Sequence, residues 1–510
     1  MEPHSDTPAA FANEPRELDY TGNVRPDEWQ NPRPAKRYNL VIIGAGTTGL
    51  TAARTAAAKG AKVALIERNL LGGACLNIGC VPSKAIIRTS RAYADMRDAA
   101  RYGAVVPTDI QVDFPTVMRR MRDIRTRISR SDSAWSLAAA GVDVFFGQAS
   151  FTGNDSLVVD GAILRFSKAL IATGARPDVP QIPGLAEAGY LTNENVFDPT
   201  EAPRSLLVIG GGPLGCEMAQ AFCRLGIHTT IVQNWPLFLP REERDAAQIL
   251  SDAFARDGIE IRLNTNVVNV RVEKGRKIVD LISDDYKSTL TVDSILIGTG
   301  RVPNTDGLNL VAAGVECDVR HRVEVNDFLR SSNRRIYAAG DVCLRHKFND
   351  TAEASAQIAV RNALFLGRRK VSALTIPWCT YTDPEVAHVG LHVRQARARG
   401  IAVKTFVIPM HTVDRAITDN EQSGFVKIDV VNGTDRILGA TIVARHAGEM
   451  IGEITLAMVA GIGLSTLARV IHAYPTHAAA IKMAAEAYEK TRVTQRMRGV
   501  MAAWLRWCRR

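Results

Sequence analysis

Cys75 and Cys80 stand close together in Gly72-Gly73-Ala74-Cys75-Leu76-Asn77-Ile78-Gly79-Cys80-Val81-Pro82-Ser83-Lys84. Two thiols this near one another could interconvert with a disulfide and pass two electrons. A continuous helix would hold them ~7.5 Å apart along its axis, beyond the ~7 Å Cα separation that a disulfide tolerates. Gly79 and Pro82 offer the distortion needed to close that gap. Two cysteines at an arbitrary spacing are usually unrelated buried thiols, so the surrounding elements decide what this pair does.

Those elements begin upstream. Tyr38 to Ile43 is a β-type run leading into Gly44-Ala45-Gly46-Thr47-Thr48-Gly49, then an alanine-rich helical stretch, a strand Lys62 to Ile66 and Glu67. In such a strand, turn, helix and strand the first glycine permits a tight turn, and the second lets backbone N–H groups reach a pyrophosphate. The third allows close helix packing. Glu67 is placed to accept hydrogen bonds from a ribose diol. The unit recurs at Ser205 to Ile209, with Gly210-Gly211-Gly212-Pro213-Leu214-Gly215, a helix through Leu225 and a strand Thr229 to Val232. Two dinucleotides are therefore expected. Gln233 stands where Glu67 stands in the first copy, and Arg241 and Arg244 lie further on. A neutral amide there leaves NADH and NADPH both open.

The chain has 510 residues, enough for roughly three or four domains, and its 46% hydrophobic and 23% charged residues suit a globular protein. No apolar run reaches the ~18 residues of a membrane span, and no signal-type N-terminus is present, so a cytoplasmic protein is expected. The eight cysteines make no regular framework, and Cys216 and Cys223 read as core residues. No nucleic-acid partner and no bound metal are expected. The formal charge of +10 is concentrated near the C-terminus, where Lys490, Arg492, Arg496, Arg498, Arg506, Arg509 and Arg510 occur without a carboxylate. Val493, Met497, Val500, Met501 and Trp504 recur there at helical spacing. The plainer expectation is a cap on the last domain; the alternative is an amphipathic helix for a membrane surface or an acidic partner.

Further segments stand in order: Ala172-Thr173-Gly174-Ala175-Arg176-Pro177, Gly298-Thr299-Gly300-Arg301-Val302-Pro303-Asn304, Ala338-Ala339-Gly340-Asp341-Val342 and Tyr381-Thr382-Asp383-Pro384-Glu385-Val386-Ala387. With the cysteine motif and the two glycine units, the chain from about 38 to 490 resembles the class I, FAD-dependent pyridine nucleotide-disulfide oxidoreductases. That resemblance implies an α/β fold with two Rossmann-type domains, for FAD and NAD(P), plus a C-terminal α+β dimerisation domain. FAD would contact Gly44, Gly46, Gly49, Glu67, Gly73, Lys84, Ala149, Thr173, Gly174 and Asp341. NAD(P)H would contact Gly210, Gly212, Gly215, Glu217 and Gly300. Cys80 would face the flavin as a thiolate and Cys75 would meet the substrate. Lys84, paired with Glu217, would lie near the reactive flavin nitrogen.

The departures narrow the substrate. Disulfide reductases of this family use a His-Pro-Thr segment and a following glutamate from the partner subunit as acid and base. Here the segment reads His472-Ala473-Tyr474-Pro475-Thr476-His477-Ala478-Ala479, with Tyr474 for the histidine and Ala479 for the glutamate. A phenol with a pKa near ~10 is a poor proton acceptor at neutral pH. Tyrosine here resembles the mercuric reductase branch, whose soft metal substrate needs thiolates and electrons but no protonated leaving thiol. The chain departs from that branch as well: no cysteine precedes Cys75, and Cys508 stands alone at the C-terminus.

The expected arrangement is a flexible extension over 1–37, FAD segments at 38–183 and 302–375, an NAD(P) domain at 184–301, a dimerisation domain at 376–490 and a basic tail at 491–510. The expected protein is a homodimer with shared active sites, passing electrons to a small-molecule or metal-ion acceptor. The alternatives are a dihydrolipoamide dehydrogenase-like disulfide reductase using His472 or His477, or a redox-responsive flavoprotein that binds a partner.

Overall fold

The structure, a computed structural model, describes residues 15–284 and 286–509. Its chain divides into two compact units, one of residues up to 232 with 265–374 and one of 233–264 with 375 onward. This division cuts across the 184–301 segment.

The first unit contains both glycine units. Strands β1 (Tyr38–Ile43) and β2 (Val63–Glu67) are almost wholly apolar and buried, as strands covered on both faces must be. With β3 (Val142–Phe146) and β4 (Ala162–Ile171) they form a parallel sheet in the order β3-β2-β1-β4, and the short strand Ile336–Ala338 pairs with β4. Val41 lies level with Ala64 on one side and Ala169 on the other. Between β1 and β2 runs α2 (Thr47–Ala57), whose Ala52, Ala53 and Ala56 are buried. Such small side chains allow close approach to the sheet. The second copy is β5 (Ser205–Ile209), flanked in parallel by β6 (His228–Val232) and β7 (Ser294–Ile297), with α5 (Pro213–Arg224) following β5.

Glycine is required at the turns for a steric reason. Gly44 sits at φ +100°, and a Cβ there would lie 2.5 Å from the Ala172 carbonyl oxygen. Gly210 repeats this at φ +107°, 2.6 Å from the Gly298 oxygen. L-residues with side chains rarely adopt such φ values.

The second unit is built on a five-stranded antiparallel sheet of β8 (Pro377–Thr380), β9 (Glu385–Gly390), β10 (Val403–Pro409), β11 (Phe425–Val431) and β12 (Ile437–Ala444), in the order β8-β9-β12-β11-β10. Helices α6 (Ala447–Val459) and α7 (Ala479–Arg492) pack on it. The segment 233–264 joins this unit through polar ties: Lys427 lies 2.6 Å from Asp245, and Trp378 donates to Glu242 at 2.9 Å.

Two expectations are corrected. Residues 1–14 of the expected flexible extension lie outside the described residues, but 15–37 are built into the first unit. Helix α1 (Pro15–Val24) buries Tyr20 and Val24. The Leu71 amide donates to the Val24 carbonyl at 3.0 Å, and the Trp29 indole donates to the Val144 carbonyl at 3.1 Å. A few large apolar side chains anchor a segment whose average composition is polar. At the other end, helix α8 (Gln495–Trp507) buries none of its residues, so it does not cap the last domain. Among the described residues no helix is long and apolar enough to cross a membrane.

Candidate functional site

Helix α3 (Gly73–Ile78) stops one residue short of α4 (Cys80–Asp98), and the residue between them is Gly79 at φ −144°, ψ −111°. A Cβ on Gly79 would lie 2.7 Å from the Ala74 carbonyl oxygen, so a side chain would push the two helical segments apart. The break interrupts the continuous helix that would hold them ~7.5 Å apart, and the two thiols are near enough to shift one another's ionisation. Both are thiols here, Cys75 half-buried and Cys80 exposed.

Their protons are unequal. Interaction with Cys75 and the positive charges of Lys84 and Arg301 draw the Cys80 thiol down to about 7, against partial desolvation of its sulfur and the opposing charge of Glu217. By the same interaction, Cys75 is pushed up and holds its proton. The first proton therefore leaves Cys80, and its thiolate is held by a neighbouring S–H.

Lys84 lies one turn after Cys80 on α4, on the same face. Its ammonium is 2.8 Å from the Glu217 carboxylate, which is only 5% exposed on α5. Helices α4 and α5 pack together and carry this pair. Arg301 lies 3.0 Å from Asp341, whose carboxyl is pushed up by burial. Lys347 donates to the Arg301 carbonyl. Sequence position alone assigns Arg301 no role. Its charge acts on Cys80 only because the fold brings distant segments together, and the signal available in the sequence was an arginine beside Gly300.

The first glycine unit fits FAD. Helix α2 begins after Gly46 without a side-chain cap, so the amides of its first turn have no side-chain acceptor and suit a pyrophosphate. Gly73 closes one wall of this cradle, since a Cβ on it would lie 2.5 Å from the Gly46 Cα. A small cleft beside it is lined by Gly44, Glu67, Ala149 and Thr173. The Glu67 carboxylate accepts from the amides of Ala45 and Asn69, both at 2.8 Å, which fixes its direction at the strand end. Thr173 donates to the Asn304 carbonyl at 2.6 Å, and the Gly174 carbonyl accepts from the Asn304 amide at 3.0 Å.

The second glycine unit fits a nicotinamide nucleotide by the same test. Helix α5 starts after Gly212 with no side-chain cap and has Pro213 in its first turn. A Cβ on Gly215 would lie 2.1 Å from the Gly210 carbonyl oxygen. Gly300 sits at φ +153°, and its carbonyl accepts from the Asp178 amide. In the second unit, the Gln233 amide group donates to the Leu237 carbonyl at 2.7 Å.

Tyr474 also belongs to the second unit. It is 79% exposed, and its hydroxyl donates to Asp414 at 2.9 Å. That bond pushes its pKa up, so the phenol remains a proton donor. The neighbouring imidazoles point inward: His472 lies 3.0 Å from Glu453 and His477 3.4 Å from Asp419, each with a side chain 9% exposed. Of the three side chains, Tyr474 is the exposed one, and both imidazoles are largely covered. Asp414 was not singled out in the sequence, and no spacing signal marks it.

A family model described as pyridine nucleotide-disulphide oxidoreductase matches residues 38–363, and one for the dimerisation domain of that family matches 376–485. A mercuric reductase of Staphylococcus aureus is 34% identical over 89% of this chain and 83% of its own. A dihydrolipoyl dehydrogenase of Thermus scotoductus is 32% identical over 89% of this chain and 98% of its own. Among solved structures, the Cu(II) complex of the HOCl-induced flavoprotein disulfide reductase RclA from Escherichia coli aligns with TM-score 0.79 at 30% identity, covering 87% of this chain and 98% of that one.

Proposed function

This chain belongs to the pyridine nucleotide-disulphide oxidoreductase family, as an FAD-dependent oxidoreductase that uses NAD(P)H, and on that premise we propose that Cys75 and Cys80 deliver electrons to a soft, thiophilic acceptor such as Hg(II). The observation that carries this reading is the pairing of a readily ionised Cys80 with an exposed tyrosine in the segment where a disulfide exchanger needs an imidazole.

FAD supplies the two-electron relay between NAD(P)H and the dithiol. The chain's own residues do the rest. Lys84 and Arg301 hold negative charge at Cys80, Cys75 retains a proton until an acceptor displaces it, and Gly79 keeps the sulfurs adjacent. A soft metal ion binds two thiolates and leaves reduced, so no sulfur leaving group has to be protonated. Proton transfer to a leaving thiol is typically worth ~10²- to 10⁴-fold, and Tyr474, held by Asp414, is poorly suited to accept the proton in the reverse direction. The relatives named mercuric reductase, and the Cu(II) complex of the E. coli relative, support a metal acceptor.

We place the protein in the cytoplasm as a homodimer in which Tyr474 of one chain faces Cys75 and Cys80 of the other. The segments 38–183 with 302–375, 184–301 and 376–490 would serve FAD, NAD(P)H and dimerisation. The test is an anaerobic titration with NADPH and with NADH, followed by Hg(II), lipoamide, glutathione disulfide and quinones as acceptors. Hg(II)-dependent NAD(P)H oxidation that is lost in Cys75→Ser and Cys80→Ser is expected. Fast NADH-linked lipoamide turnover with no Hg(II)-dependent oxidation would sink the proposal.

A further inference from the structure

Helix α8 spans 13 residues at the C-terminal end, beyond the segment matched by the dimerisation-domain model, which stops at 485. Thr494 caps it, accepting from the Met497 amide, so the helix has its own start and is distinct from α7. It buries nothing. Met497, Val500, Met501, Trp504, Leu505 and Trp507 are each 50–69% exposed. Exposed apolar groups scattered singly need no explanation, whereas a contiguous set does.

The arrangement identifies what covers them. At about 100° per residue, these six side chains fall within an arc of roughly 160° on one face. Arg496 and Arg498 stand at the two edges of that arc, and Arg506 lies opposite it. Residues 490–510 contain seven basic side chains and no carboxylate. Long arginine stems beside an apolar face can run along it while their heads reach outward. Trp504 and Trp507, with ring centroids 5.1 Å apart, supply amphipathic rings of the kind that favour a membrane boundary. A protein groove would match the apolar face alone. A second copy of this helix would bring like charges together. An anionic lipid surface satisfies the apolar arc, the flanking arginines and the lack of acidic residues at once.

We propose that α8 is an interfacial helix that docks the enzyme on anionic phospholipid, lying in the plane of the surface with its tryptophan face in the headgroup boundary. The helix is ~20 Å long, suited to lying on a bilayer. This inference is independent of the electron acceptor. It would hold the reductase at a membrane while the redox centre stays in the aqueous phase.

The experiment is flotation of the full-length holoenzyme with vesicles of phosphatidylcholine alone and of phosphatidylcholine with phosphatidylglycerol, at low and high salt. Binding to the anionic vesicles that weakens with salt is expected. Arg496→Gln and Arg498→Gln should each weaken it about fivefold, the equivalent of ~1 kcal/mol per basic residue near the surface. Trp504→Ser should weaken it further at every salt concentration. Removal of residues 495–510 should abolish binding and leave NAD(P)H oxidation and the dimer intact. Equal binding to neutral and anionic vesicles, or no binding to either, overturns the proposal. A truncated chain that sediments as a monomer overturns it too, because the helix would then be covered by a second copy.

Discussion

The phenol of Tyr20 donates a 2.6 Å hydrogen bond to the side-chain carbonyl of Asn77, on helix α3 between Cys75 and Cys80. Asn77 in turn donates to the Leu71 carbonyl at 3.0 Å, and Arg125 lies over the Tyr20 ring at 4.4 Å. An N-terminal helix outside the family match at 38–363 thus braces the helical segment that carries Cys75.

Tyr20→Phe should keep the ring beneath Arg125 and leave the Asn77 oxygen without its phenol donor. A loss of about 1–2 kcal/mol in denaturant stability is expected, because a buried acceptor loses its partner. Removing α1 entirely should cost more, through exposure of the surface now covered by Tyr20 and Val24. Chemical denaturation of the holoenzyme measures both.

Alkylation of the reduced enzyme should report the unequal thiols. The rate follows the thiolate fraction, so it should rise with pH through an inflection at about 7, where Cys80 is half ionised, and level off above it. An ordinary cysteine would still be rising towards ~8.5. Lys84→Met removes one of the cations that lower the Cys80 value, so the inflection should move up. Iodoacetamide kinetics with peptide mapping, identifying Cys80 as the modified site, would decide the matter.

The same Lys84→Met change affects stability. Its ammonium lies 2.8 Å from a carboxylate that is 5% exposed. Losing one partner of a buried pair costs ~3–5 kcal/mol, but Lys84 itself is 35% exposed and solvent screens part of the interaction. A loss of about 1–3 kcal/mol is expected, with smaller effects if the Glu217→Gln change is made at the same time. A double-mutant cycle in urea measures the coupling.

Restoring the missing dyad should convert the enzyme. Tyr474→His combined with Ala479→Glu should raise turnover of lipoamide by ~10²-fold or more and leave Hg(II)-dependent oxidation nearly unchanged. Steady-state kinetics with both acceptors tests this, and an equal rise for both would contradict the assigned role of Tyr474.

Gly44→Ala should reduce retained FAD, because the new methyl group meets the Ala172 carbonyl and φ +100° strains an alanine. A cost of about 2–4 kcal/mol is expected. Gly499→Ala, where nothing lies near the added carbon, is the neutral comparison. The flavin-to-protein absorbance ratio is the readout.

The sequence alone determined what is local. A strand, a glycine turn and a helix are encoded within a few dozen residues, and the clash at Gly44 recurs at Gly210 because both turns solve the same steric problem. Lys84 could be placed beside Cys80 because four residues make one helical turn. The tertiary structure decided what depends on surfaces meeting. Glu217, Arg301 and Asp341 join the cysteine site from distant segments, and only packing sets their distances. Tyr20 reaches Asn77 although the composition of 1–37 suggested a loose extension, since three or four anchoring side chains outweigh an average. Tyr474 faces outward while His472 and His477 turn to carboxylates of their own unit, a choice that residue order does not reveal. The helix at 495–507 could be read from its period. That its apolar face is uncovered among the described residues follows only from the packing.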